Sequence, residues 1–187
     1  MKKIIFGLLL FSYLIITTSS CGEKKKGQEE GVPKKTALEY NEYIIGEHNK
    51  IMIKMLDFSK AFESGEGRRM EHSLNIMQKQ IKSSIEMLSK LEPYEGDDKF
   101  KEAALELFEF YDSISDDEFQ EMADIQKKKG SQTIEDRDRM NELSRGVAEK
   151  EKVLDMNLYN AERAFASKHS AQLQNNKLQD SINKMNK

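Results

Sequence analysis

The sequence predicts an all-α protein, an antiparallel up-down-up-down four-helix bundle with a long C-terminal helix. Three observations carry that expectation. Apolar residues recur at three- and four-residue steps along four long segments. Helix breakers are scarce, with two Pro and ten Gly in 187 residues, while Glu, Lys, Leu and Met are plentiful. No segment alternates apolar and polar residues as a half-buried strand would.

The first helix opens at Thr36-Ala37-Leu38-Glu39, a capping box in which the Thr36 hydroxyl accepts from the Glu39 backbone and the Glu39 side chain reaches back. Its apolar face is Ala37, Ile44, Ile51, Met55, Phe58 and Phe62, and Ser64-Gly65-Glu66-Gly67 stops it. The second carries Met70, Leu74, Met77, Ile81, Leu88 and Leu91, and ends at Glu92-Pro93, because proline restricts the residue before it to extended backbone. A turn at Pro93-Tyr94-Glu95-Gly96 follows, with Asp97 as the expected cap of the third helix. That helix shows Phe100, Ala104, Leu107, Tyr111 and Ile114, then Phe119, Met122 and Ile125. The five-residue step from Ile114 to Phe119 breaks the period, so a kink or interruption is expected there, with Ser115 and Glu118 as a second candidate capping box. Lys127-Lys128-Lys129-Gly130 reads as a C-terminal stop, with cations at the negative end of the helix dipole and glycine just beyond.

Thr133 opens the fourth helix, whose seam is Met140, Leu143, Val147, Leu154, Leu158, Ala161 and Phe165. From Thr133 to Phe165 it is about 50 Å long at 1.5 Å per residue. The bundle domain is assigned to residues 36–187, with a polar tail rich in Asn and Gln from about residue 168. Short connections favour antiparallel neighbours. The alternative architecture is an elongated coiled-coil hairpin that completes its core by oligomerising. The oligomeric state is left open.

Charge bounds the function. Lys and Arg total 30 against 33 Asp and Glu, for a formal net charge of −3. Removal of a leader containing Lys2 and Lys3 takes two positive charges away and leaves −5. A mildly acidic chain of mixed surface charge lacks the concentrated basic face that phosphate contacts require, so no nucleic-acid partner is expected.

The first 20 residues form a segment of their own. Lys2 and Lys3 precede an apolar run from Ile4 to Ile16, and Thr17-Thr18-Ser19-Ser20 leads to Cys21. The run is shorter than the roughly 20 residues that span a bilayer as a helix, so it reads as an export signal rather than an anchor. With the Ser20-Cys21 junction, residues 1–20 resemble the signal peptides of bacterial lipoproteins, although Thr18 stands where many lipoboxes have Leu. That resemblance implies cleavage between Ser20 and Cys21 and lipidation of the Cys21 thiol, with an acyl chain added on the new amino group. Two or three chains hold stably where one does not. The competing reading is an ordinary secretory signal that leaves Cys21 a free thiol. Gly22 rather than Asp after the cysteine implies an outer-membrane destination. Residues 21–35 are the lipidated cysteine and a polar tether with almost nothing apolar. In length, N-terminal chemistry and helical content the whole chain is similar to uncharacterised helical surface lipoproteins of leptospiral and Bacteroidetes-type bacteria, for which no common activity is agreed.

Reactive chemistry is sparse in the bundle domain. Cys21 is the one cysteine. His48, His72 and His169 are preceded at three residues by Ile45, Arg69 and Ala166, so the Glu-x-x-His pairs of di-iron bundles do not occur. Gly-x-Ser-x-Gly and glycine-rich phosphate loops do not occur either. No catalytic residue and no cofactor are therefore expected. One polar residue interrupts a seam: His48 lies between Ile44 and Ile51, and antiparallel pairing about a turn near residue 66 sets it level with Ser84. A buried His48–Ser84 hydrogen bond that fixes helix register is the simplest reading. The expected function is a non-enzymatic, lipid-anchored envelope or surface protein with an unknown protein partner. The alternative is a small-ligand or metal-binding bundle that uses the core around His48.

Overall fold

The structure, a computed structural model, describes residues 35–171 and residue 173. The expected signal peptide, Ser20, Cys21, the tether up to residue 34 and nearly all of the polar tail lie outside the described residues. Within them the chain is all-helical, as the periodicity predicts. The helices are α1 (Ala37–Ser64), α2 (Gly67–Ser89), α3 (Lys99–Asp116), α4 (Glu118–Lys127) and α5 (Ile134–Lys168), with one 3-10 turn at Lys129–Ser131.

Both threonine caps form. Thr36 and Glu39 make a reciprocal capping box at the start of α1, and Thr133 makes one with Asp136 at the start of α5. Gly65 ends α1 in the left-handed conformation, φ 64°. The turn from Tyr94 to Asp97 is closed by two backbone hydrogen bonds, with positive φ at both Glu95 and Gly96. That pair of signs defines a type I′ turn.

Two local expectations are corrected. Asp97 stands one residue ahead of the N-cap position of α3, which falls on Asp98, whose side chain caps nothing; from there Asp97 Oδ1 still accepts from the Lys99 backbone at 3.4 Å. Asp97 Oδ2 is drawn to the end of α5, where Lys168 Nζ lies at 2.7 Å and His169 Nε2 at 3.2 Å. The Ser115–Glu118 capping box does not form. Ser115 Oγ donates back to the Asp112 carbonyl, and the carbonyl of Ser115 at the break accepts from Gln78 Nε2 at 3.0 Å. The interruption itself stands where the period breaks, between Asp116 and Glu118. α4 ends at Lys127, at the expected stop, and the residue with positive φ beyond it is Lys129, φ 46°. This conformation lays the Lys129 side chain over Gly65, where an added Cβ would lie 3.4 Å from Lys129 Cε.

Side-chain contacts run in opposite senses along successive helices. Residue 47 of α1 meets residue 84 of α2, and at the turn between them the Gly65 N–H donates to the Phe62 carbonyl at 3.1 Å. Residue 78 of α2 meets Ser115, while the carbonyl of Leu91, just past α2, meets Lys101. Phe100 of α3 meets Phe165 of α5, Tyr111 meets Glu151, and Glu121 of α4 meets Arg139. The core joins all five helices: Ile44, Ile51 and Phe58, Met70, Met77 and Ile81, Leu107 and Tyr111, Phe119 and Met122, Leu154 and Leu158. Burying each such side chain contributes roughly 1.5–3 kcal/mol, so the seams hold the fold. At 35 residues α5 exceeds the 23-residue α2, so it spans both α3 and α4.

Candidate functional site

Polar side chains enter this core from α1, α3 and α5. Tyr111 is 1% exposed, and its hydroxyl donates to Glu151 Oε1 at 3.3 Å beside the Met52 sulfur. Glu151 is 2% exposed, and its Oε2 has no hydrogen-bond partner. Burial pushes its carboxyl up to about 7, with the neighbouring Asp155 adding to the rise and the Tyr111 hydroxyl opposing it. Burial also pushes Asp155 up to about 6. Further along α5, Glu162 accepts from Asn41 Nδ2 of α1 at 2.9 Å, and burial raises its pKa too.

His48 is buried, and so is Ser84, but the expected bond between them is not made. Ser84 Oγ donates to Glu47 Oε2 at 2.9 Å and accepts from Gln80 Nε2 at 3.1 Å. Glu47 also takes Lys50 Nζ at 2.6 Å. His48 turns to α3, its ring near-parallel to those of Phe108 and Tyr111 at 6.1 and 6.4 Å, and its Nε2 is buried without a partner. The reason is helical rotation. Consecutive residues lie about 100° apart around the axis, so when Glu47 faces α2 its successor faces α3. Burial without a compensating charge lowers the imidazole to about 4, which leaves it neutral near pH 7.

The other histidines lie elsewhere. His72 is exposed on α2. His169 closes the end of the bundle, in edge contact with Tyr94 at 4.9 Å and tilted against Phe165 at 4.8 Å. Tyr40 stacks on Phe165 from α1 at 5.3 Å. Burial raises the Tyr40 phenol to about 12 and its hydroxyl has no partner. A hollow of about 240 Å3 lies beside this aromatic group, between Asp97, Lys99, Phe100, Ala161, Phe165 and Lys168. Its carboxylate is already held by Lys168, and no Ser, Thr or Cys side chain lines it.

Among the described residues no group of three or more His, Cys, Asp or Glu side chains is placed to hold a metal ion. No helix among them is long and apolar enough to cross a membrane. Sequence reasoning missed Tyr111, Glu151 and Asp155 as a buried group. The available signal was Glu151, a charge standing between Val147 and Leu154 at seam spacing.

No protein-family model, curated protein or solved structure matches the chain.

Proposed function

We propose that this chain is a bacterial envelope lipoprotein, held to a membrane by lipid on Cys21, and that its helical domain acts by binding a partner rather than by catalysis. The observation that carries the reading is the placement of the single cysteine, after Lys2-Lys3, the apolar run Ile4–Ile16 and Ser20. The outer membrane is the proposed destination, on the strength of Gly22. The arrangement of the helices suits a tethered module. The start of α1 and the end of α5 meet at one pole, where Tyr40 touches Phe165. A chain leading off Thr36 therefore leaves the α1–α2 turn and the start of α5 at the far pole, about 40 Å away at 1.5 Å per residue. On α5, Ile134 is 72% exposed at that pole and Val153 is 57% exposed, and these are the contact candidates.

The test is fractionation of cells that express the wild type and Cys21→Ala. The wild type stays with membranes after a high-salt wash and Cys21→Ala does not. A variant that remains membrane-bound after the wash contradicts the reading. The partner is then sought by crosslinking in native membranes, with Ile134→Glu expected to reduce capture.

A second reading, a small ligand held in the core beside His48, draws on the unpartnered Nε2 of His48 and Oε2 of Glu151. Elemental analysis and an absorbance spectrum of the purified protein decide it: a stoichiometric metal or chromophore would rank it first.

A further inference from the structure

Glu151, Asp155 and Glu162 lie on one flank of α5, within about 40° of arc and about 16 Å of length. The Glu162–Asn41 bond shows that this flank is turned toward α1. Opposite it, α1 offers Asn41, His48 and Met52, and α3 offers Tyr111. Other charged groups along these stretches engage elsewhere. Glu47 turns to Ser84, Asp112 to Lys82 of α2, and Lys54 to Asp57. On α4 the charged contact with α5 is Glu121 with Arg139, nearer the start of α5. On α5 itself Lys152 is exposed, Lys150 lies over the Phe110 ring, and Arg163, beside the Tyr159 hydroxyl, gives Glu162 a favourable neighbouring charge. The Tyr111 hydroxyl partners Glu151 and the Asn41 amide partners Glu162.

We infer that this flank is a proton-operated latch: its protonated carboxyls let α5 close on α1 and α3, and their ionisation opens the α1–α5 seam around Met52 and Tyr111. The geometry gives the reason. A carboxyl buried with one oxygen unpartnered is tolerated when neutral, whereas a buried unpaired carboxylate is strongly disfavoured. Of the three, Glu151 is the one with a buried, unpartnered oxygen; Asp155 and Glu162 are half-buried beside it, and the three charges along about three turns would repel one another. The neutral His48 supplies no cation to relieve them.

The direction of the pH dependence follows. Burial raises Glu151 to about 7 and Asp155 to about 6, and raises Glu162 as well. A raised folded-state pKa contributes stability that is complete below the unfolded value and is lost as pH rises through the folded one. Closure is therefore firmest in mild acid and weakens between about pH 4 and pH 7.

Hydrogen exchange of the full-length protein in detergent, normalised to intrinsic exchange rates at pH 5.5 and pH 8.5, tests the latch. Amides of residues 147–162 should lose about tenfold or more in protection at pH 8.5 relative to those of α2. The triple variant Glu151→Gln, Asp155→Asn and Glu162→Gln should keep its protection at both values. Equal relative protection in the wild type, or a loss that the variant retains, would overturn the inference. If the triple variant does not fold, Asp155→Asn alone must shrink the difference, and an unchanged difference overturns it equally.

Discussion

The hydroxyl of Ser84 donates to Glu47 Oε2 at 2.9 Å across the α1–α2 interface, and both residues are buried. This bond joins two helices and partners a carboxylate that is only 3% exposed. Lys50 holds the other oxygen from the surface.

Ser84→Ala should therefore destabilise the protein by about 1–3 kcal/mol, because it strands a buried carboxylate oxygen. Adding Glu47→Gln should recover part of the loss, since an amide tolerates the missing donor better than a carboxylate does. Denaturant unfolding of the single and double variants measures the coupling. Independent, additive effects would contradict the bond.

His48 behaves in the opposite way. Its Nε2 is buried without a partner, so His48→Leu should be neutral or stabilising at pH 7. The pH profile should change as well. With the imidazole lowered to about 4, its contribution is present above pH 6.5 and is lost as pH falls from 6.5 toward 4. Glu151 and Asp155 act in the reverse sense over an overlapping range. The two trends offset each other in the wild type. In His48→Leu the carboxyl trend stands alone, and thermal stability should fall steadily from about pH 4.5 to pH 7. A variant that becomes more acid-labile than the wild type would contradict this.

Two glycines should respond oppositely to alanine. Gly146 sits mid-way in α5, and an added Cβ meets nothing within 4 Å. Gly146→Ala should stabilise by about 0.5–1 kcal/mol. Gly65 ends α1 at φ 64°, and Gly65→Ala should destabilise by about 1–2 kcal/mol. Thermal melts of the two variants check both signs.

What was legible in the sequence was whatever depended on a few neighbouring residues. The Thr36–Glu39 box, the Thr133 cap, the Gly65 stop and the break after Ile114 follow from short windows, and all four are present. Expectations fell short where a distant group engaged the same side chain or backbone group. Asp97 is taken by Lys168 and His169, 71 and 72 residues away. The carbonyl at the α3–α4 break is taken by Gln78 rather than left to a cap. Antiparallel counting about the α1–α2 turn placed the polar layer within one residue of Ser84's true partner. One residue is a 100° rotation, however, and that rotation exchanges Glu47 for His48. Glu151 and Asp155 were not legible as a buried group, because their depth depends on which residues of α1 and α3 lie across from them.

The central claim is the lipid anchor on Cys21, and the mass of the mature N-terminal peptide from purified membranes tests it most directly. The expected mature chain begins at Cys21 and carries the added mass of two or three acyl chains on that residue. A mature chain that begins at another residue, or at an unmodified Cys21, would contradict it.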